Sequence, residues 1–266
     1  VAACGGGDEA SDYAATRDAA LATERQLPIV TDAAATAALE AIGSSLVRAS
    51  GPERHPWRFR LVRDTTLNAF ALPGGFVYVH TATVRAARDV DELAGVVGHE
   101  VAHARLRHGA RQQDAATAGS AAIALVCGVT GWCDGAVAQA VIRVGATAAM
   151  ARYSREDELA ADSAGLLYAR RAGYDPAGII RFFETLQAEG GGTPALLQFF
   201  ASHPMEGTRI ARARALIAAS GAAGDSARGA DVPAMRAAFA TLQARVKAPT
   251  LEATVPVRET PAPATP

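Results

Sequence analysis

Six residues, Gly98-His99-Glu100-Val101-Ala102-His103, lie inside a stretch of strongly helical composition and constrain this chain more than any other feature. The four-residue spacing puts both imidazoles on one face of an α-helix, one turn apart, where two neutral rings can grip one metal ion. Glu100 points about 100° around the helix from the first histidine. From there a carboxylate reaches a water beside the metal and not the metal itself, which is a general-base position. A catalytic zinc also needs a third protein ligand and an open fourth position. A second segment must therefore pack against this helix.

Two other histidines are poor third ligands. His108 follows His103 by five residues and is rotated off the ligand face of a continuous helix, and His80 ends a predicted strand. The better source is Tyr153-Ser-Arg-Glu-Asp-Glu158-Leu-Ala-Ala-Asp162-Ser-Ala-Gly165. Glu158 and Asp162 stand one turn apart among alanines small enough for another helix to come close. One carboxylate can bind zinc while the other accepts the free ring N–H of a ligand histidine. Glu156 and Asp157 read as solvated helix charge. One zinc ion per chain is expected.

The 266 residues are 50% hydrophobic, enough for a sizeable core. The 26 basic and 27 acidic residues nearly cancel, so no whole-chain field favours nucleic acid, and no such partner is expected. Aromatic residues make up only 6% while alanine is abundant, which favours closely packed helices. The expected fold is α+β and mainly helical, with a small antiparallel sheet packed on the zinc-binding helices. Residues 12–26 and 32–50 read as a helical hairpin broken at Pro28. Trp57 to Val62 alternates apolar with polar, and Phe76-Val-Tyr-Val79 is a β-branched and aromatic run entered through Pro73-Gly74-Gly75. A helix starts near Asp89, whose spacing to Glu92 fits a capping box, and is expected to run at least to His108. Further helices are expected over 136–150, 157–172, 176–189, 204–218 and 232–246. The apolar stretch Ala115 to Val129 is shorter than the roughly 20 residues needed to span a bilayer and reads as a packed helix or a flap lining the site.

Four motifs in one order are more specific than the zinc helix alone: Asn68-Ala-Phe-Ala-Leu-Pro-Gly-Gly75, Asp91 through His103, Glu158-x-x-x-Asp162, and His203-Pro204 with Arg209-Ile210. They resemble the gluzincin family of zinc metalloendopeptidases, the Ste24-like peptidase domain, which includes the bacterial membrane protease HtpX, the CAAX prenyl endopeptidase and the periplasmic protease BepA. Within the family it resembles the small soluble or lipid-anchored bacterial members, of lipoprotein type. The resemblance implies that His99, His103 and Glu158 hold the zinc and that Asp162 orients a ligand from behind. It also implies that His203 lies near the site. There it would either occupy the open zinc position at rest or stabilise the oxyanion with Arg209 or Tyr153, if it does not simply cap a helix.

The activity expected is hydrolysis of peptide bonds in unfolded or misassembled polypeptides, in protein quality control at the cell envelope. Phe76, Val77, Tyr78 and Val79 are expected to form an edge strand that holds substrate through main-chain hydrogen bonds. The alternative is a lipid-anchored, chaperone-like binding protein with a latent zinc site blocked by His203. Cys4 follows Val1-Ala-Ala and precedes three glycines, which resembles the lipidated cysteine of a bacterial lipoprotein, and the expectation is a chain held on the periplasmic side of a membrane by an N-terminal anchor if Cys4 is acylated. Cys127 and Cys133 flank a turn-prone stretch, and a disulfide or two buried thiols are both open. The chain divides as a tether at 1–10, a peptidase domain at 11–220, a linker and C-terminal helix at 221–247 and a proline-rich disordered tail at 248–266. The oligomeric state is left open.

Overall fold

The computed structural model describes residues 9–114, 153–188, 207–219 and 232–255. Helices α1 (Glu9–Gln26) and α2 (Ala33–Ser50) lead into strands β1 (Arg58–Val62), β2 (Ala69–Leu72) and β3 (Phe76–His80). Then follow α3 (Thr81–Ala86), α4 (Val90–Arg105), α5 (Arg155–Arg171), α6 (Gly178–Ala188), α7 (Gly207–Ala219) and α8 (Val232–Lys247). Helix α4 is the axis of the molecule. Every residue from Glu92 to Ala104 is buried, because α2, α5 and α6 pack around it and the sheet closes the remaining side. A helix enclosed in this way must be built from small and apolar residues, as Leu93 to Val97 are.

The fold is mainly helical with a small sheet, as expected, but the sheet is mixed. Its order is β1-β3-β2, with β1 parallel and β2 antiparallel to β3. The turn at Pro73-Gly74-Gly75 returns β3 beside β2, and both glycines hold the positive φ values, 80° and 82°, that such a turn requires. β3 then slots between β2 and β1. Phe76, Val77, Tyr78 and Val79 therefore form the central strand, hydrogen-bonded on both sides, and the expectation that they are an edge strand for substrate is overturned. Local composition identifies a strand, but strand order depends on long-range pairing.

β3 is buried along its whole length because the sheet is covered on both faces. Val77 and Val79 join the main core with Phe59, Leu61 and the helices α2 and α4. Phe76 and Tyr78 face the other way, into a smaller cluster with Ala20, Ile29 and Val62. Tyr13 of α1 stacks on Phe76 with ring centroids 5.3 Å apart. So α1 and α2 lie on opposite faces of the sheet and are not a hairpin. Their connection runs along the free edge of β1, where Val30 N–H donates to Leu61 O at 2.8 Å.

Two C-terminal segments belong to the same body. α8 buries Met235, Phe239, Leu242 and Val246 in the main core against α2 and α3. The stretch after it, expected to begin a disordered tail, lies along residues 29–31: Thr31 N–H donates to Glu252 O at 3.1 Å and Thr254 N–H to Ile29 O at 2.7 Å. Leu251, buried there, anchors the strap. No helix among the described residues is long and apolar enough to cross a membrane.

Candidate metal centre

α4 starts where the capping box was read: Asp89 Oδ1 accepts Glu92 N–H at 2.8 Å, and Glu92 Oε2 accepts Arg88 N–H at 2.9 Å. It presents His99, Glu100 and His103 inside the protein, each almost wholly buried. α5 is capped by Ser154, which accepts Asp157 N–H, and buries Glu158, Ala161, Asp162, Gly165, Leu166 and Ala169 along one helical stripe. The two helices touch backbone to backbone. A Cβ built on Gly165 would lie 3.0 Å from His99 N and 3.1 Å from Gly98 C. This contact sets the depth at which Glu158 and Asp162 meet the histidines.

The ligand atoms converge. His99 Nε2 and His103 Nε2 are 2.9 Å apart, and Glu158 places Oε2 3.4 Å from the first and Oε1 3.5 Å from the second. In a tetrahedral zinc site with bonds of about 2.0–2.1 Å, neighbouring ligand atoms lie about 3.3 Å apart. Two imidazole nitrogens and one carboxylate, buried at this spacing, fit zinc in both chemistry and distance. Burial alone would lower the basicity of His99, but hydrogen bonding to Asp162 and Glu158 outweighs it and raises the pKa to about 10. The field that draws a proton to this ring also draws a dication.

Behind His99, Asp162 Oδ1 lies 3.0 Å from the ring Nδ1, so the carboxylate takes the Nδ1–H and leaves Nε2 facing the cluster. Arg209 arrives from α7 and grips Asp162 with two bonds of 2.7 Å, from Nε to Oδ2 and from Nη2 to Oδ1. Its Nη1 lies 2.7 Å from Glu158 Oε2. Burial would raise the pKa of Asp162, but the Arg209 and His99 bonds hold it down at about 2. One guanidinium thus ties both carboxylates together. One of the roles open in the sequence puts Arg209 beside His203 at an oxyanion. The structure turns it onto the carboxylates, because the docking of α7 decides where it points.

A helix continuing past residue 108 would rotate His108 off the ligand face. Instead α4 ends at Arg105, and Arg107 takes a left-handed conformation with φ of 56°. A non-glycine residue there costs roughly 1–2 kcal/mol, and Asp12 of α1 holds it with two bonds to its guanidinium at 2.6 and 2.7 Å. The reset turns His108 back, so that its Nδ1 lies 2.9 Å from His103 Nδ1 and its Nε2 lies 3.4 Å from Asp157 Oδ1. Burial pushes its pKa down to about 4, despite the nearby Asp157 charge. No sequence signal marked this break, because Arg107 is not a glycine. Tyr153 stacks on His103 with centroids 3.9 Å apart. Burial, then the charges of Glu100 and Glu158, raise its pKa. Asp157, read as solvated charge, is only 21% exposed and takes part in this arrangement.

Cys4, Cys127, Cys133, His203 and the stretch Ala115 to Val129 lie outside the described residues.

A sequence profile of peptidase family M48 matches residues 33–217 of the chain, more than half of it. The chain is similar to the beta-barrel assembly-enhancing protease of Escherichia coli strain K12, with 28% identity over 197 residues, covering 70% of this chain and 40% of that protein. It is similar to the mitochondrial metalloendopeptidase OMA1 of Schizosaccharomyces pombe, with 30% identity over 165 residues, 62% of this chain and 48% of that one. Metalloprotease YcaL of Escherichia coli shares 29% identity over 164 residues, 61% and 63% of the two chains. The chain spans 40% of the length of the beta-barrel assembly-enhancing proteases that it matches.

Proposed function

The chain belongs to peptidase family M48, a family of zinc metallopeptidases, and on that premise we propose that His99, His103 and Glu158 hold one zinc ion while Glu100 serves as general base in endopeptidic hydrolysis. The observation that carries this reading is the convergence of three buried ligand atoms from two helices, all within 4.8 Å of one another. Zinc, when bound, supplies a Lewis acid that polarises a carbonyl and makes water acidic enough to lose a proton near neutral pH. Glu100 takes that proton on its carboxylate as the water attacks, then returns it to the leaving amine nitrogen. Its charge lies close to the other groups of the site, since it adds to the raised pKa of both Tyr153 and Arg209. Asp162 holds the His99 ring, and Arg209 holds Asp162 and Glu158 in register. We assign Arg209 to positioning and His203, six residues before it in the sequence, to the open side of the zinc.

Substrate is proposed to add along β2 and not along β3. Among the described residues no strand pairs with the outer edge of β2, which packs on α4. The chain leaving β2 also passes close to the ligands: a Cβ on Gly109 would lie 3.5 Å from Pro73 Cγ and 3.6 Å from Tyr153 Oη, and Tyr153 covers His103. Main-chain pairing tolerates many side chains, which suits unfolded or misassembled polypeptides. The relatives named beta-barrel assembly-enhancing protease support a role in protein quality control at the bacterial cell envelope. The setting of Cys4 supports a lipid anchor on the periplasmic side. Zinc content and casein cleavage, measured together for wild type and Glu100→Gln, test the reading. One zinc in both with cleavage only in the wild type is expected. Equal cleavage by the two would remove Glu100 from the chemistry.

A further inference from the structure

We infer that His108 is a positioning residue that fixes the proton of His103 on Nδ1 and so keeps His103 Nε2 bare toward the metal. The inference rests on the zinc reading of His103 and adds a second support to the one that Asp162 gives His99. A neutral imidazole carries one N–H, whereas a carboxylate only accepts. Asp157 Oδ1 faces His108 Nε2 at 3.4 Å, so the proton of His108 belongs on Nε2 and its Nδ1 carries a lone pair. His103 Nδ1 lies 2.9 Å from that lone pair, a hydrogen-bond distance that needs one proton between the two nitrogens. His103 supplies it. The opposite assignment would set a lone pair of His108 against the carboxylate and put the proton of His103 on Nε2, where it would block the ligand position.

The far end of this chain is itself held. Arg111 Nη2 donates to Asp157 Oδ1 at 2.8 Å, and Ser154 Oγ donates to Oδ2 at 2.9 Å. The carboxylate therefore stays an acceptor toward His108. At the near end, the left-handed Arg107 returns His108 onto His103. The relay through a neutral ring also has a chemical consequence. It orients His103 without bringing a fourth carboxylate into a centre that already buries Glu100, Glu158 and Asp162.

The test compares zinc dissociation constants of the full chain, by competition with a chromophoric chelator, for wild type, His108→Phe and His108→Asn. Phenylalanine keeps the ring and removes the acceptor, whereas asparagine puts Oδ1 near the place of Nδ1. Loss of such an outer partner typically costs ten- to a hundredfold in metal affinity. His108→Phe is expected to fall in that range and His108→Asn to recover most of it, with melting temperatures close to wild type in the presence of chelator. Two-bond proton–nitrogen spectra of zinc-loaded wild type should show His103 protonated on Nδ1 and His108 on Nε2, and they decide the matter alone if the phenylalanine variant does not fold. Wild-type affinity in His108→Phe, or a proton on His108 Nδ1, overturns the inference. A wild type that takes up no zinc overturns the metal reading itself, and this inference with it.

Discussion

The two histidines of the cluster sit one turn apart on the same helix, yet they are held from behind by different devices. His99 is held by Asp162 and Arg209, an ion pair with side chains only 8% and 3% exposed. His103 is held by His108, Asp157 and Arg111, a chain that begins in the core and ends at side chains 21% and 56% exposed. The first support is short, charged and dry, and the second is longer, begins with a neutral ring and reaches solvent. The same charge pair, a carboxylate with an arginine, is worth several kcal/mol to lose when buried and little when exposed. The His99 side should therefore carry stability as well as ligand geometry. The His103 side should carry geometry alone.

Four variants sharpen or break that contrast. Arg209→Met leaves Glu158 and Asp162 as buried carboxylates without their shared cation, and should cost about 3–5 kcal/mol in urea unfolding with chelator present. Gly165→Ala forces a methyl against the backbone of α4 at His99 and should cost about 1–3 kcal/mol, read in the same experiment, with weaker zinc binding as the helices part. Asp157→Ala frees the far end of the His103 support. It should lower zinc affinity about tenfold, or about 1.4 kcal/mol, in chelator competition, and change the chelator-treated melting temperature little. Arg111→Ala, at the exposed end, should change either quantity by less than about 1 kcal/mol. If Arg111→Ala matched Arg209→Met in unfolding, the two supports would not differ in kind.

The same contrast tracks what could be read from the sequence. His99, His103, Glu158 and Asp162 were legible because a four-residue spacing has only one meaning on an α-helix, and the capping residue Asp89 sits just before the first of the two helices concerned. Arg209 was legible as a member of the site but not as a clamp, since its partners depend on how α7 docks. His108 was hidden by Arg107: an unbroken α4 would have carried it away from His103, and a left-handed arginine leaves no mark in composition. The sheet failed in a similar way. The run Phe76 to Val79 announces a strand, but insertion between β1 and β2 is decided by pairings far apart in the chain. What is local was readable, and what depends on docking was not.

The central claim is that two imidazoles from α4 and a carboxylate from α5 hold the zinc. X-ray absorption at the zinc edge of the loaded full chain tests it most directly. Two imidazole shells with the remaining neighbours oxygen, all at about 2.0–2.2 Å, is the predicted result. A sulfur neighbour at about 2.3 Å, or zinc binding that persists unchanged in Glu158→Ala with the same shell, would contradict it.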